Sequence, residues 1–102
     1  MNEILTLVSR SFEADGYTLR EETRRHVFCR LASITQTEFY QAQATDFRPE
    51  LKFILADYLE YKGEYLCIFG DIWYRVIRTY RSGQELELVV QRAAAEEVDL
   101  SE

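Results

Sequence analysis

The residues able to do chemistry in this chain are few and scattered. They are one histidine, His26, two cysteines, Cys29 and Cys67, the carboxylates Asp57, Glu60 and Glu64, and a run rich in aromatics and arginines from Phe69 to Arg81. Nucleophilic catalysis needs a nucleophile, a base and an orienting group within reach of one another. His26 belongs to no Ser-His-Asp or Cys-His spacing and reads as a surface or edge residue. Cys29 and Cys67 lie far from each other in sequence, and share no metal-ligand spacing with His26, so both read as reduced, buried thiols. Asp57, Glu60 and Glu64 lack the spacing and the loop glycine of a calcium-binding EF-hand, and read as solvated loop charges. Gly63, Gly70 and Gly83 stand singly at turns, which gives no phosphate-cradling loop. The expectation is a protein with no catalytic residues, no cofactor and no metal.

The aromatic run leaves two readings open. Phe69, Trp73, Tyr74 and Tyr80 with Arg75, Arg78 and Arg81 could form a stacking surface for single-stranded nucleic acid, as on a small OB-like β-barrel. Alternatively Ile72, Tyr74, Val76 and Tyr80 share one strand face and fill a core. The arginines are then exposed or pair with Glu85 and Glu87 across a hairpin.

A chain of 102 residues fits one domain with one core, and an apolar content of 47% with 14% aromatics is ample to fill it. No apolar run approaches the ~20 residues that cross a bilayer, and the first residues lack the pattern of a secretory signal, so a cytosolic protein is expected. The formal charge of −6 is concentrated after residue 92, where Glu96, Glu97, Asp99 and Glu102 occur without any Lys or Arg. The rest is close to neutral. Arg24 and Arg25, the nearest thing to a basic cluster, are flanked by Glu21 and Glu22, which argues against tight binding of duplex DNA.

The elements that must position these residues are mostly strands. Leu5–Ser9 reads as the first, and Asp15-Gly16 reverses the chain toward a second at Thr23–Ile34, where Val27 and Cys29 alternate with Phe28 and Arg30. Thr35 and Glu38 then make a capping box, in which the hydroxyl accepts from the amide three residues on and the carboxylate reaches back. The helix it starts runs from Gln36 to about Ala44 and ends before Arg48, which precedes Pro49 and is pushed out of the α region. A third strand follows, with Leu51, Phe53 and Leu55 alternating with Lys52 and Ile54. Gly70-Asp71 joins Glu64–Phe69 to Ile72–Tyr80 as a hairpin. After Ser82-Gly83 a last strand runs from Glu85 to Arg92. The fold expected is mainly β, a six-stranded antiparallel β-barrel or sandwich with one short helix inserted between strands 2 and 3. A single domain spans residues 1–92, and an acidic, frayed or disordered tail spans 93–102.

Taken in order, Leu5-Thr6-Leu7, Asp15-Gly16, Val27-Phe28, Ser33 to Gln43, Lys52-Phe53-Ile54-Leu55, the run Gly70 to Val76, and Glu85-Leu86-Glu87-Leu88 form a pattern. It resembles the head-closure proteins of long-tailed bacteriophages and prophages, also called head-tail adaptor or stopper proteins, over about residues 5 to 92. Cys29 stands where that family commonly has Ala, and Lys52 where it commonly has Arg. The resemblance implies a small β-barrel acting as a structural virion protein at the head-tail interface, made in the bacterial cytoplasm. It implies a homo-oligomeric ring, typically of twelve copies, between a portal-adaptor protein and a tail-completion protein. Such a ring closes the DNA-filled head and lets double-stranded DNA pass without specific binding, away from any membrane. The isolated chain is expected to be monomeric. By position, the resemblance also implies that residues 35 to 48 face the channel, with Thr35, Glu38, Phe39, Tyr40, Ala42, Gln43 and Arg48 as the stopper segment.

Overall fold

A computed structural model of the protein describes residues 2–43 and 47–98. Six strands, β1 (Glu3–Phe12), β2 (Leu19–Ala32), β3 (Leu51–Leu55), β4 (Leu66–Phe69), β5 (Ile72–Ser82) and β6 (Glu85–Arg92), are accompanied by two helices. The helix α1 (Gln36–Gln43) lies between β2 and β3, and α2 (Ala95–Val98) follows β6. All strand pairs are antiparallel, and the order β1-β2-β3-β6-β5-β4 closes because β1 pairs with β4 as well as with β2. The alternative of barrel or sandwich is thereby resolved as a closed barrel, which removes the unpaired edges a sandwich would keep.

Alternation along each strand fills the interior. Leu5 and Leu7 of β1, Val27 and Cys29 of β2, Phe53 and Leu55 of β3, Cys67 of β4, Tyr74 of β5, and Leu86, Leu88 and Val90 of β6 form one buried cluster. Phe53 sits fully buried in it, with the rings of Phe69 and Tyr74 at 5.2 and 6.0 Å between centroids. Cys29 and Cys67 are free, buried thiols.

The strands differ in length from the sequence expectation for reasons of pairing. β1 and β2 continue past the barrel, where Ser9, Arg10 and Ser11 lie opposite Thr23, Glu22 and Glu21. β4 meets β1 only at Thr6–Val8. The protruding ends form a two-stranded ribbon closed by the expected turn, in which the Asp15 carboxylate accepts the amides of Tyr17 and Thr18 at 2.8 and 3.0 Å. At the other hairpin Gly70 and Asp71 both have positive φ, 57° and 63°, the conformation a two-residue turn of this hand requires.

Two expectations are corrected and one open alternative is decided. Tyr80 does not join the core face of β5. The register shifts between Val76 and Arg78, so Tyr80 lies opposite Glu87 instead of a core residue, and its side chain is exposed. One extra residue in a strand exchanges its two faces. Of the alternatives for the arginines of β5, exposure holds for Arg78 and Arg81, while Glu85 and Glu87 pair elsewhere, with Arg30 of β2 at 3.6 Å and with Lys52 of the adjacent β3 at 3.2 Å. Finally, Glu64 is not a solvated loop charge. It is 6% exposed, and holds down the connection between β3 and β4.

That connection is also less polar in its work than its composition suggests. Asp57 caps a turn of 3-10 helix at Tyr58–Glu60 by accepting the Leu59 amide, and it also accepts the Gln84 side-chain amide at 2.8 Å. Tyr58 and Tyr61 pack against the barrel core. The Arg25 side chain reaches across from β2, donating from Nε to Glu64 Oε2 at 3.1 Å and from Nη2 to the Glu60 carbonyl at 2.8 Å.

Candidate functional site

The insertion between β2 and β3 is the most distinctive site on the barrel. α1 starts where the capping box places it. The Glu38 amide donates to Thr35 Oγ1 at 3.2 Å, and Glu38 Oε1 accepts from the Thr35 amide at 3.0 Å and from its hydroxyl at 2.8 Å. Two otherwise orphaned donors of the first turn are thereby satisfied.

Glu38 has a second task. Lys52 lies on the outer face of β3, directly across from Ala32 and Val89, and its Nζ is 3.0 Å from Glu38 Oε1 and 3.2 Å from Glu87 Oε1. The residue is only 8% exposed. Burial would push the Glu38 carboxyl up, but the Thr35 hydrogen bonds and the Lys52 ammonium outweigh it and hold the group below the usual carboxylate range. Burial would likewise lower Lys52, but the two carboxylates outweigh it and raise the ammonium above its ordinary value. The alternation of β3 put Lys52 outside the core, which is where it stands. That it is buried there between two carboxylates required knowing where α1 folds back.

Farther along α1, Phe39 and Tyr40 meet edge to face at 6.1 Å between centroids, and both are exposed, Tyr40 to 60%. Ala42 and Gln43 stand in its last turn. Ala44, the residue expected to end the helix, lies outside the described residues. The chain rejoins the barrel at Arg48, whose amide donates to the Gln91 side chain at 2.8 Å, and at Glu50, whose amide donates to the Val90 carbonyl at 2.8 Å. Thr35, Glu38, Phe39, Tyr40, Ala42, Gln43 and Arg48 therefore belong to one excursion from the barrel. Among the described residues, Glu38 is tied to the barrel by its side chain through Lys52, and Arg48 by its backbone amide through the Gln91 side chain.

The other candidate surface is divided by the pleat. Tyr74 is 5% exposed and meets Phe53 edge to face, so its ring faces inward, while Trp73 faces outward. The guanidiniums of Arg10 and Arg24 approach the Trp73 ring at 5.2 and 5.3 Å, and both arginines also pair with Glu22. Arg81 stacks on Tyr58 at 3.5 Å, and Arg78 on Tyr80 at 5.5 Å. These aromatic and basic groups are engaged with one another, and do not form one open strip.

His26 is exposed, with Nδ1 3.0 Å from Thr6 Oγ1. Among the described residues no group of three His, Cys, Asp or Glu is placed to hold a metal ion, and no helix is long and apolar enough to cross a membrane. A shallow recess of about 250 Å³ is lined by Asn2, Glu3, Arg30 and Leu31, and brings together no nucleophile and base. Compared with models of known protein families, the sequence matches none, and a search of curated proteins likewise finds no match.

Proposed function

We propose that the protein is a head-tail connector component of a long-tailed phage or prophage, a structural protein that closes the DNA-filled head and gates release of the genome. The observation that carries the reading is the placement of the capped helix α1. It is inserted between β2 and β3 of a closed barrel, fastened at its first turn, and presents Phe39 and Tyr40 to solvent. That is the position and character the ordered sequence pattern assigns to a channel-facing stopper segment. The modest negative charge also suits a conduit, because a bore rich in Lys and Arg would grip passing DNA through counterion release.

In this reading the chain acts without catalysis, as a ring of identical copies between a portal-adaptor protein and a tail-completion protein. Closed rings use two different patches on each subunit. The exposed pair Ile4 and Phe28, which face each other across β1 and β2, offers one apolar patch, and Phe39 with Tyr40 offers another.

The test is deletion of the gene from an inducible prophage. Heads that package DNA but leak it, and fail to join tails, are expected. Infectious, tailed particles at normal yield would refute the reading. A titration with fluorescent single-stranded oligonucleotides at low salt is expected to show no binding at micromolar protein, and clear binding there would favour a nucleic-acid-binding barrel instead.

A further inference from the structure

We infer that Lys52 is a shared cation that latches α1 to the barrel so that the helix can lift away as an intact, capped unit. The geometry provides a partner for every charge on both sides of the break. On the barrel side Lys52 Nζ keeps Glu87 at 3.2 Å. On the helix side Glu38 keeps the Thr35 amide and hydroxyl at 3.0 and 2.8 Å. Release therefore leaves no buried charge alone, which is the usual penalty for breaking a buried ion pair. It also leaves the helix start capped.

The two ends of the excursion are fixed where a flap needs them. β2 ends at Ala32, paired to Lys52 on β3, and the chain returns at Arg48, bound to Gln91 on β6. Between them, the one ion pair that joins α1 to the barrel among the described residues is Glu38 to Lys52. The latch gives the proposed stopper segment a means of movement and rests on that reading for its purpose. Its test uses the isolated chain, so it succeeds or fails independently of the particle assay.

The chain carries its own reporters. It has two lysines, the buried Lys52 and the exposed Lys62, and two core thiols, Cys29 and Cys67. Acetylation by a small active ester, read by mass spectrometry, gives the reactivity of Lys52 relative to Lys62, while thiol labelling reports opening of the barrel itself. Glu38→Gln keeps the cap, since Gln serves in a capping box, but removes the charge. It is expected to raise the Lys52 to Lys62 ratio about fivefold, the scale of losing one of two ion pairs while Glu87 keeps the ammonium paired, with Cys29 and Cys67 still unlabelled. Glu87→Gln leaves Lys52 with Glu38 and is expected to keep the ratio near that of the wild type. An unchanged ratio in Glu38→Gln, an equal rise in Glu87→Gln, or Lys52 reacting only in step with the thiols would each overturn the latch.

Discussion

Removing Arg25 tests how the barrel holds the connection between β3 and β4. Glu64 is buried, and besides Arg25 its carboxylate accepts the Lys62 amide at 2.8 Å. Breaking a buried ion pair from one side costs about 3–5 kcal/mol. The Arg25 side chain is 32% exposed, so solvent screens part of that, and the expected loss for Arg25→Met is about 2 kcal/mol. For a domain of this size that lowers the melting temperature by roughly 8–16 °C.

The pH dependence separates this cause from lost packing. In the wild type, burial pushes Glu64 up, but the Arg25 hydrogen bonds, helped by the Lys62 amide, outweigh it and hold the carboxyl below its ordinary value. Its contribution to stability is therefore present above the unfolded-state carboxylate pKa, and is lost as pH falls through the lower folded value. Without Arg25, burial is opposed chiefly by the Lys62 amide, and the folded value is expected to lie above the unfolded one. The sign then reverses, so the penalty is greatest at neutral pH and disappears below the unfolded carboxylate range. Urea denaturation at pH 7 and pH 4 should show the gap between wild type and Arg25→Met shrinking to less than half on the acid side. The double variant Arg25→Met/Glu64→Gln should recover at least half of the loss at pH 7. A gap independent of pH, or a double variant as unstable as Arg25→Met, would refute the account.

Other consequences are more direct. Phe53→Ala, at the fully buried centre of the aromatic group with Phe69 and Tyr74, should cost about 3–5 kcal/mol in chemical denaturation. Burial, with Glu3 nearby, pushes the Cys29 thiol up to about 11, and burial, with Cys29 nearby, pushes Cys67 up to about 12. At pH 8 both should resist a thiol reagent until the barrel unfolds, and labelling of native protein would contradict their placement. Tyr40→Ala, at an exposed position, should change stability by less than about 0.5 kcal/mol, and the proposed function further requires that it lower the yield of infectious particles.

Local signals were the legible ones. Thr35 and Glu38 are three residues apart, and their capping box forms as the spacing requires. Gly70-Asp71 forms the turn its residue types favour. Val27, Cys29, Phe53 and Leu55 alternate into the core as their pattern indicates. What escaped was set by partners far along the chain or by a change of phase. Arg25 meets Glu64 across 39 positions, and no spacing rule links them. Tyr80 was misplaced because the pattern of β5 carries no mark of the register shift before Arg78. β1 outran Leu5–Ser9 because Arg10 finds Glu22 opposite it, a cross-strand pair that favours extension where apolar alternation has ended. Of the candidate stopper residues, the capped helix start at Thr35 and Glu38 was legible, and the pairing of Glu38 with Lys52 was not.

The narrow contact between β1 and β4 bears on how the chain folds. Its three residue pairs, Thr6 with Ile68, Leu7 with Cys67 and Val8 with Leu66, join parts of the chain some sixty positions apart. The two hairpins, β1 with β2 and β5 with β6, are by contrast local and long. Loop-closure entropy favours local pairings first, so the hairpins can form early and the β1–β4 seam is the last contact to zip. The same seam has the fewest bonds to lose on the way out. A barrel built this way has a defined place to open, on a different side from β3 and the helix it carries.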